Sequence, residues 1–307
     1  MTVLCINAYV DPFRLLSSTI QPDSQNFVPK GDAELVLHFK QQLLAASTVP
    51  TVMVGSSRTE RGYDTCDLNI QKSTIEGINK EQMLGLAEMA IKNPKVSHLI
   101  IELSGLVTPS ETKIGALTTL DKINTLMSLN MLRQSIRLML GEPKLPFVES
   151  SHTANRPQNA QSTLQSEYTP LTKCEARPVR TILKEDTFLL QKIQRLYRKM
   201  FFGSDFTSHF NDALTQLQRY CHDAARSHPV AISIIIGPVH KALFAPTQLT
   251  QVKSRSKAIV TNYQNSLCPI TMHSAAVTKA TQQNENWYDY NHFSEKLGNP
   301  FLMQVIQ

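Results

Sequence analysis

Two hydrophobic rhythms alternate along the chain. Nearly unbroken apolar runs occur at Thr51-Val52-Met53-Val54, at His98-Leu99-Ile100-Ile101-Glu102-Leu103 and at Val230-Ala231-Ile232-Ser233-Ile234-Ile235-Ile236. Small residues or proline end each run: Gly55-Ser56, Ser104-Gly105 and Gly237-Pro238. Such runs read as strands buried on both faces. A short element around Cys66 to Ile70 reads as a further strand, placed second in the chain. Elsewhere the apolar residues recur every three or four positions, as on one side of a helix. From Asp32 to Ala46 they are Leu35, Val36, Phe39, Leu43 and Leu44; from Lys80 to Lys92 they are Met83, Leu84, Ala87, Met89, Ala90 and Ile91, halted by Asn93-Pro94. Ala116–Leu140 predicts a long helix or a helix pair, and Lys184–Phe202 and Phe206–Ser227 predict helices. The tail is polar up to Trp287, after which a final helix carries Phe293, Leu297, Phe301, Leu302 and Val305.

Strands alternating with helices imply an α/β fold. The expectation is a three-layer α/β/α sandwich with a mainly parallel, flavodoxin-like sheet. Residues 1–48 are set apart as an N-terminal segment, and 49–307 as the α/β domain with a helical and loop insertion around 106–228. Within that insertion Glu149–Thr172 is rich in Ser, Thr, Gln, Asn and Pro, the composition of a loop.

Composition narrows the function classes. The net charge is +6, but the basic residues are scattered, the densest group being Lys192, Arg195, Arg198 and Lys199 on one predicted helix. That is a solvated helix face, and no nucleic-acid partner is expected. No Gly-x-x-x-x-Gly-Lys-Ser/Thr loop occurs, which removes phosphate cradling of that kind. Five cysteines, Cys5, Cys66, Cys174, Cys221 and Cys268, include no Cys-x-x-Cys pair and leave the redox compartment open. The apolar start Val3–Val10 is too short to span a bilayer and lacks a signal peptide's basic residues, so on its face the chain reads as soluble.

Two places carry residues suited to catalysis. Gly55-Ser56-Ser57-Arg58 follows the Thr51–Val54 strand directly, and a serine at a sharp strand-to-loop turn presents its hydroxyl at the sheet edge. The plainer reading is a turn made of small polar residues. Asp289-Tyr290-Asn291-His292 opens the final helix on this reading, and an aspartate three residues before a histidine can accept the Nδ1–H and leave Nε2 as a general base. Here the plainer reading is a capped helix with a surface histidine. An early serine together with a late Asp-x-x-His is more specific than either half. His240, after the Val230–Ile236 strand, is a further candidate for lining the site, and Cys5, inside an apolar run, reads as an inert buried thiol.

At this point the sequence resembles the SGNH hydrolases, in particular the bacterial envelope branch related to alginate O-acetylation and teichoic-acid D-alanylation accessory proteins. Val52–Gly62 is similar to the nucleophile block, Asp67-Leu68-Asn69-Ile70 to the second strand and its Asn, and Trp287–Ser294 to the terminal Asp-x-x-His block. Asn7–Phe13 is similar to the segment that follows the family's membrane anchor. The resemblance implies a triad of Ser57, His292 and Asp289, with the Ser57 N–H as oxyanion donor. Ser56, Arg58, Asn69, Ser104 and His240 are the further oxyanion or substrate-binding candidates. It implies no cofactor and no metal. The sequence departs from the family where Ser56 replaces the aspartate of Gly-Asp-Ser, where Ser104-Gly105 stands for Gly-x-Asn-Asp, and where no glycine follows Asn69-Ile70.

The implied activity is a serine-dependent acyl ester hydrolase or O-acyltransferase acting through an acyl-enzyme on a cell-envelope glycan or another acylated, ester-bearing substrate. The alternative is a weak or inactive member that binds a glycan or a membrane-bound acyltransferase partner. A third expectation is a secreted binding module using the loop Asn155–Gln165. By resemblance the location is periplasmic, with Met1–Val10 as the stub of an anchoring helix.

Overall fold

A computed structural model describes residues 5–7, 10, 15, 33–65, 68–108, 119–139, 187–224, 229–264 and 266–307. The chain forms two compact units, one from residues 1–39 with 116–175, the other from 40–115 with 176–307. Residues 1–39 of the N-terminal segment thus group with part of the expected insertion, and residues 40–48 and the rest of that insertion belong to the sheet-bearing unit. In the smaller unit the predicted helix pair is present as α5 (Thr119–Leu126) and α6 (Leu129–Met139). Buried Asn7 donates to the Leu126 carbonyl at 2.7 Å and accepts from Ser135 Oγ at 3.0 Å, tying the N-terminal segment to both helices. Glu149–Thr172, Asn155–Gln165 and Cys174 lie outside the described residues, as do Cys66 and Asp67.

The elements before and after that pair are α1 (Ala33–Ala45), β1 (Thr51–Gly55), α2 (Ser57–Gly62), β2 (Ile70–Thr74), α3 (Lys80–Lys92), β3 (His98–Glu102), α4 (Leu103–Val107), α7 (Thr187–Phe202), α8 (Phe206–Asp223), β4 (Ala231–Ile236), α9 (Pro246–Thr261), β5 (Ile270–Ser274), α10 (Lys279–Gln282) and α11 (Glu295–Ile306). The five strands are all parallel in the order β2-β1-β3-β4-β5, and the flanking helices make the expected three-layer α/β/α sandwich. One face of the sheet presents Met53, Ile100 and Ile235 to Leu297, Phe301, Leu302 and Val305 of α11 and to Trp287 and Phe293. Each such fully buried aliphatic or aromatic side chain stabilises the fold by roughly 1.5–3 kcal/mol. Helices α3, α4 and α8 pack on one another and on β1, β3 and β4, and α9 lies over β5. Among the described residues no helix is long and apolar enough to cross a membrane.

Two differences from the sequence reading matter for the site. The second strand is Ile70–Thr74, not the segment around Cys66 to Ile70. It is an edge strand, and its Gln71 and Lys72 have the polar character that edges favour. The polar stretch before Trp287 contains α9 and the other edge strand, β5, neither of which was expected.

Cys221 at the end of α8 is bonded to Cys268 just before β5, across a sequence separation of 47 residues. Opening this bridge with Cys221→Ser and Cys268→Ser together should cost about 2–4 kcal/mol, mainly through the freer unfolded chain. The expected reading is a lower urea midpoint that reductant does not lower further.

Candidate active site

The turn that carries Ser57 begins with a close approach. A Cβ on Gly55 would overlap the Thr59 side chain, so only glycine lets α2 leave β1 so sharply. Ser56 is the N-cap of α2, its hydroxyl accepting from the Arg58 N–H at 3.2 Å, which places Ser57 in the first turn. At the other end Lys72 Nζ donates to the Glu60 and Tyr63 carbonyls at 2.9 and 2.7 Å, occupying acceptors that the helix leaves open. Helix α2 crosses α11 at two glycines: a Cβ on Gly298 would fall on the Gly62 carbonyl, and one on Gly62 would enter the Phe293 ring.

The histidine comes from a tight loop, not from the start of the final helix as expected. Trp287 and Phe293 form an antiparallel bridge, and the Tyr288 N–H donates to the His292 carbonyl at 2.9 Å. Helix α11 begins only at Glu295, with Ser294 at the N-cap position but making no side-chain capping bond. Asp289 Oδ1 accepts the Asn291 and His292 N–H groups at 2.7 and 2.9 Å, an Asx-type turn that fixes the loop from within.

These two segments meet at the carboxyl edge of the sheet. Ser57 Oγ lies 2.9 Å from His292 Nε2, and His292 Nδ1 lies 2.7 Å from Asp289 Oδ2. The Asp289 contact assigns the ring proton to Nδ1 and leaves Nε2 as the acceptor for the Ser57 hydroxyl. Burial would push the Asp289 carboxyl up, but the hydrogen bond and charge of His292 and the two backbone N–H groups outweigh it and bring the pKa down to about 2. The aspartate is therefore ionised at any working pH. The His292 side chain is 13% exposed and the Asp289 side chain 30%. The dyad is reachable yet largely shielded.

The other candidates lie elsewhere or act otherwise. Asn69 precedes β2 in the left-handed region (φ 50°). It sits at the amino edge, on the order of 15 Å along the strand from the edge that carries Ser57. It therefore cannot serve as an oxyanion donor there. Because β2 runs to Thr74, the loop that follows it at the carboxyl edge is 75–79, and that loop contains a glycine, Gly77 (φ 64°). The Ser56 hydroxyl is turned inward, donating to Glu102 Oε2 at 2.7 Å. Ser104 helps to lower the pKa of the Glu102 carboxyl. Ser104 borders a cavity of about 20 Å³ lined by Leu103, Phe201, Phe244 and Val252, which has room for one water and is not lined by Ser57 or His292. His240 is buried edge-on against Trp287 and Tyr290, at 5.0 and 5.3 Å between ring centres. Its Nδ1 accepts from the Ala242 N–H and its Nε2 meets Asn284 Oδ1, so it props the loop from behind rather than facing a substrate. Arg58 is buried as well, paired with Glu102 at 3.0 Å. Ser56, Arg58 and His240 thus turn their polar side-chain atoms toward Glu102, Asn291 and Asn284.

Glu102 is the residue that sequence reasoning missed. It ends β3 with a buried carboxylate that accepts from the Ser56 N–H at 3.1 Å, from Ser56 Oγ at 2.7 Å, from Thr59 Oγ1 at 2.9 Å and from Arg58 Nε at 3.0 Å. Burial would raise its pKa, but the Arg58 charge and the hydrogen bonds from Ser56 and Ser104 hold it below the usual carboxylate range. A charged residue closing an otherwise apolar strand was the available signal. Among the described residues no group of three or more His, Cys, Asp or Glu side chains could hold a metal ion.

Comparison with protein-family models, with curated proteins and with solved structures gives no match.

Proposed function

We propose that the chain is a serine-dependent acyl ester hydrolase or O-acyltransferase of the SGNH kind. The observation that carries the reading is the continuous Ser57–His292–Asp289 relay, with contacts of 2.9 and 2.7 Å. In the first step His292 Nε2 takes the Ser57 proton as Ser57 Oγ attacks the ester carbonyl carbon. The resulting oxyanion is met by the Ser57 N–H at the open end of α2. His292 then protonates the departing alcohol, leaving an acyl-enzyme. In the second step water or a sugar hydroxyl loses its proton to His292 as it attacks the acyl carbon, and His292 returns that proton to Ser57 Oγ as the acyl–oxygen bond breaks. Asp289 stays ionised throughout and stabilises the imidazolium.

An acylated cell-envelope glycan, with an acetyl group as the acyl and a membrane-bound acyltransferase as partner, is the substrate setting that the sequence resemblance supports. The Cys221–Cys268 bridge supports a location outside the cytoplasm, where disulfides persist. A second reading, a catalytically silent protein that keeps the fold to bind a glycan, is favoured by one observation. The carboxyl end of β3 offers a carboxylate turned toward Arg58 where a neutral amide donor would help an oxyanion. The purified protein should turn over p-nitrophenyl acetate and should be labelled at Ser57 by a fluorophosphonate. Absence of both above buffer controls removes the acyl-transfer reading and leaves the binding one.

A further inference from the structure

We propose that Arg58 is a positioning residue that straps the turn carrying Ser57 to the loop carrying His292. The proposal rests on the acyl-transfer reading of the site. The geometry is direct: Arg58 follows the nucleophile in the chain, Asn291 precedes the base, and the two are bonded to each other. Arg58 Nη1 donates to the Asn291 carbonyl at 2.9 Å and to Asn291 Oδ1 at 3.2 Å. The same Oδ1 accepts from the Tyr197 hydroxyl at 2.7 Å, and Tyr197 itself accepts from Arg58 Nη1 at 2.5 Å. Nη2 donates to the Pro238 carbonyl at 2.7 Å, in the loop after β4, and Nε pairs with Glu102 at the end of β3. One guanidinium therefore joins α2, the ends of β3 and β4, α7 and the histidine loop.

The surroundings fix it in that role. The Arg58 side chain is only 7% exposed, and its guanidinium lies over the Phe293 and Tyr197 rings at 5.4 and 5.7 Å. Burial opposes its charge, but Tyr197 and Glu102 outweigh that and raise its pKa. A planar fork with five N–H donors can serve all of these acceptors at once, whereas a lysine ammonium cannot span them. A side chain enclosed in this way does not reach a substrate. Its effect on chemistry goes through the register of Ser57 against His292, where a displacement of about 1 Å costs roughly 10²-fold in rate.

The test measures kcat and KM for p-nitrophenyl acetate, the rate of fluorophosphonate labelling, and the ¹⁵N resonances of the His292 ring. It compares wild type with Arg58→Lys, Asn291→Ala and the double variant. Arg58→Lys should lower kcat and the labelling rate about 10²-fold, with KM within about twofold. Asn291→Ala, which removes one acceptor and no buried charge, should lower kcat roughly 10-fold. The double variant should be no slower than Arg58→Lys alone, since both act on one strap. The His292 ring resonances should move in each variant.

A kcat within twofold of wild type in Arg58→Lys, or a loss confined to KM, overturns the strap and leaves the triad standing. If Arg58→Lys does not fold, Asn291→Ala decides on the same criteria. If wild type neither turns over nor labels, the acyl-transfer reading fails instead. The His292 resonances then judge the strap alone: unmoved peaks overturn it and moved peaks support it.

Discussion

Ser57→Ala and His292→Ala should each lower kcat for p-nitrophenyl acetate by about 10⁴-fold or more, and Asp289→Asn should lower it by about 10⁴-fold. The Asp289 effect follows from the hydrogen-bond pattern. An asparagine at 289 can still accept the Asn291 and His292 N–H groups through its Oδ1, so the loop keeps its shape. Its amide nitrogen would then face His292 Nδ1, where Oδ2 now sits at 2.7 Å. A donor there turns the ring proton to Nε2 and points it at Ser57, the wrong tautomer for a base. The double variant Ser57→Ala with His292→Ala should be no slower than either single one, because the two groups act in one proton transfer. The measurement is kcat and KM across wild type and the four variants, with circular dichroism to show that all are folded. Rates for Asp289→Asn within tenfold of wild type would break the relay at its carboxylate.

Much of this arrangement was legible in the sequence, for identifiable reasons. The central strands β1, β3 and β4 are buried on both faces and appear as unbroken apolar runs, so their positions and the parallel α/β order could be read. Helix α3 carries its own punctuation in the Asn79 cap and the Asn93-Pro94 stop, and it spans Lys80–Lys92 as expected. The edge strands were harder. β2 reads Ile-Gln-Lys-Ser-Thr and β5 reads Ile-Thr-Met-His-Ser, and neither looks like a strand until its partners are known. In β5, Thr271 and His273 hydrogen-bond each other at 3.0 Å and gather around Ser233 of β4, a polarity that only the neighbouring strand explains. Helix α9 was readable in principle, since Pro246 opens it and Leu249, Val252, Ser256, Ile259 and Val260 are its buried side. Asp289-x-x-His292 was accessible through its local spacing and Ser57 through its place at the turn after β1, and the family resemblance joined the two. The residues that hold the triad, Glu102, Tyr197 and Asn291, lie on separate elements, and their meeting depends on tertiary contacts that no local pattern encodes.

The Glu102–Arg58 pair separates stability from catalysis. Glu102→Ala should destabilise the protein by about 3–5 kcal/mol, because it leaves a buried guanidinium without its counter-charge. It also strips the acceptor from the Ser56 and Thr59 hydroxyls, which now donate to Oε2 at 2.7 and 2.9 Å. Glu102→Gln keeps the shape and one acceptor oxygen, so its cost should fall between those of wild type and the alanine variant. Replacing the pair as a unit, with Arg58→Met and Glu102→Leu together, removes both charges. Buried pairs exchanged in this way for apolar side chains of similar volume often lose little stability. The double variant should therefore recover part of the stability that Glu102→Ala loses, because no lone charge is left. It should not recover all of it, because the Ser56 and Thr59 hydroxyls and the Asn291 and Pro238 carbonyls lose their partners. Its kcat stays low because the tie to Asn291 is gone. If Glu102→Ala lies within about 1 kcal/mol of wild type, the pair is not what holds the α2 turn against the end of β3. Should the double variant regain both stability and kcat, the ion pair would be serving only to fill space, and the register between Ser57 and His292 would have to come from the Gly62–Gly298 crossing and the Asx turn at Asp289.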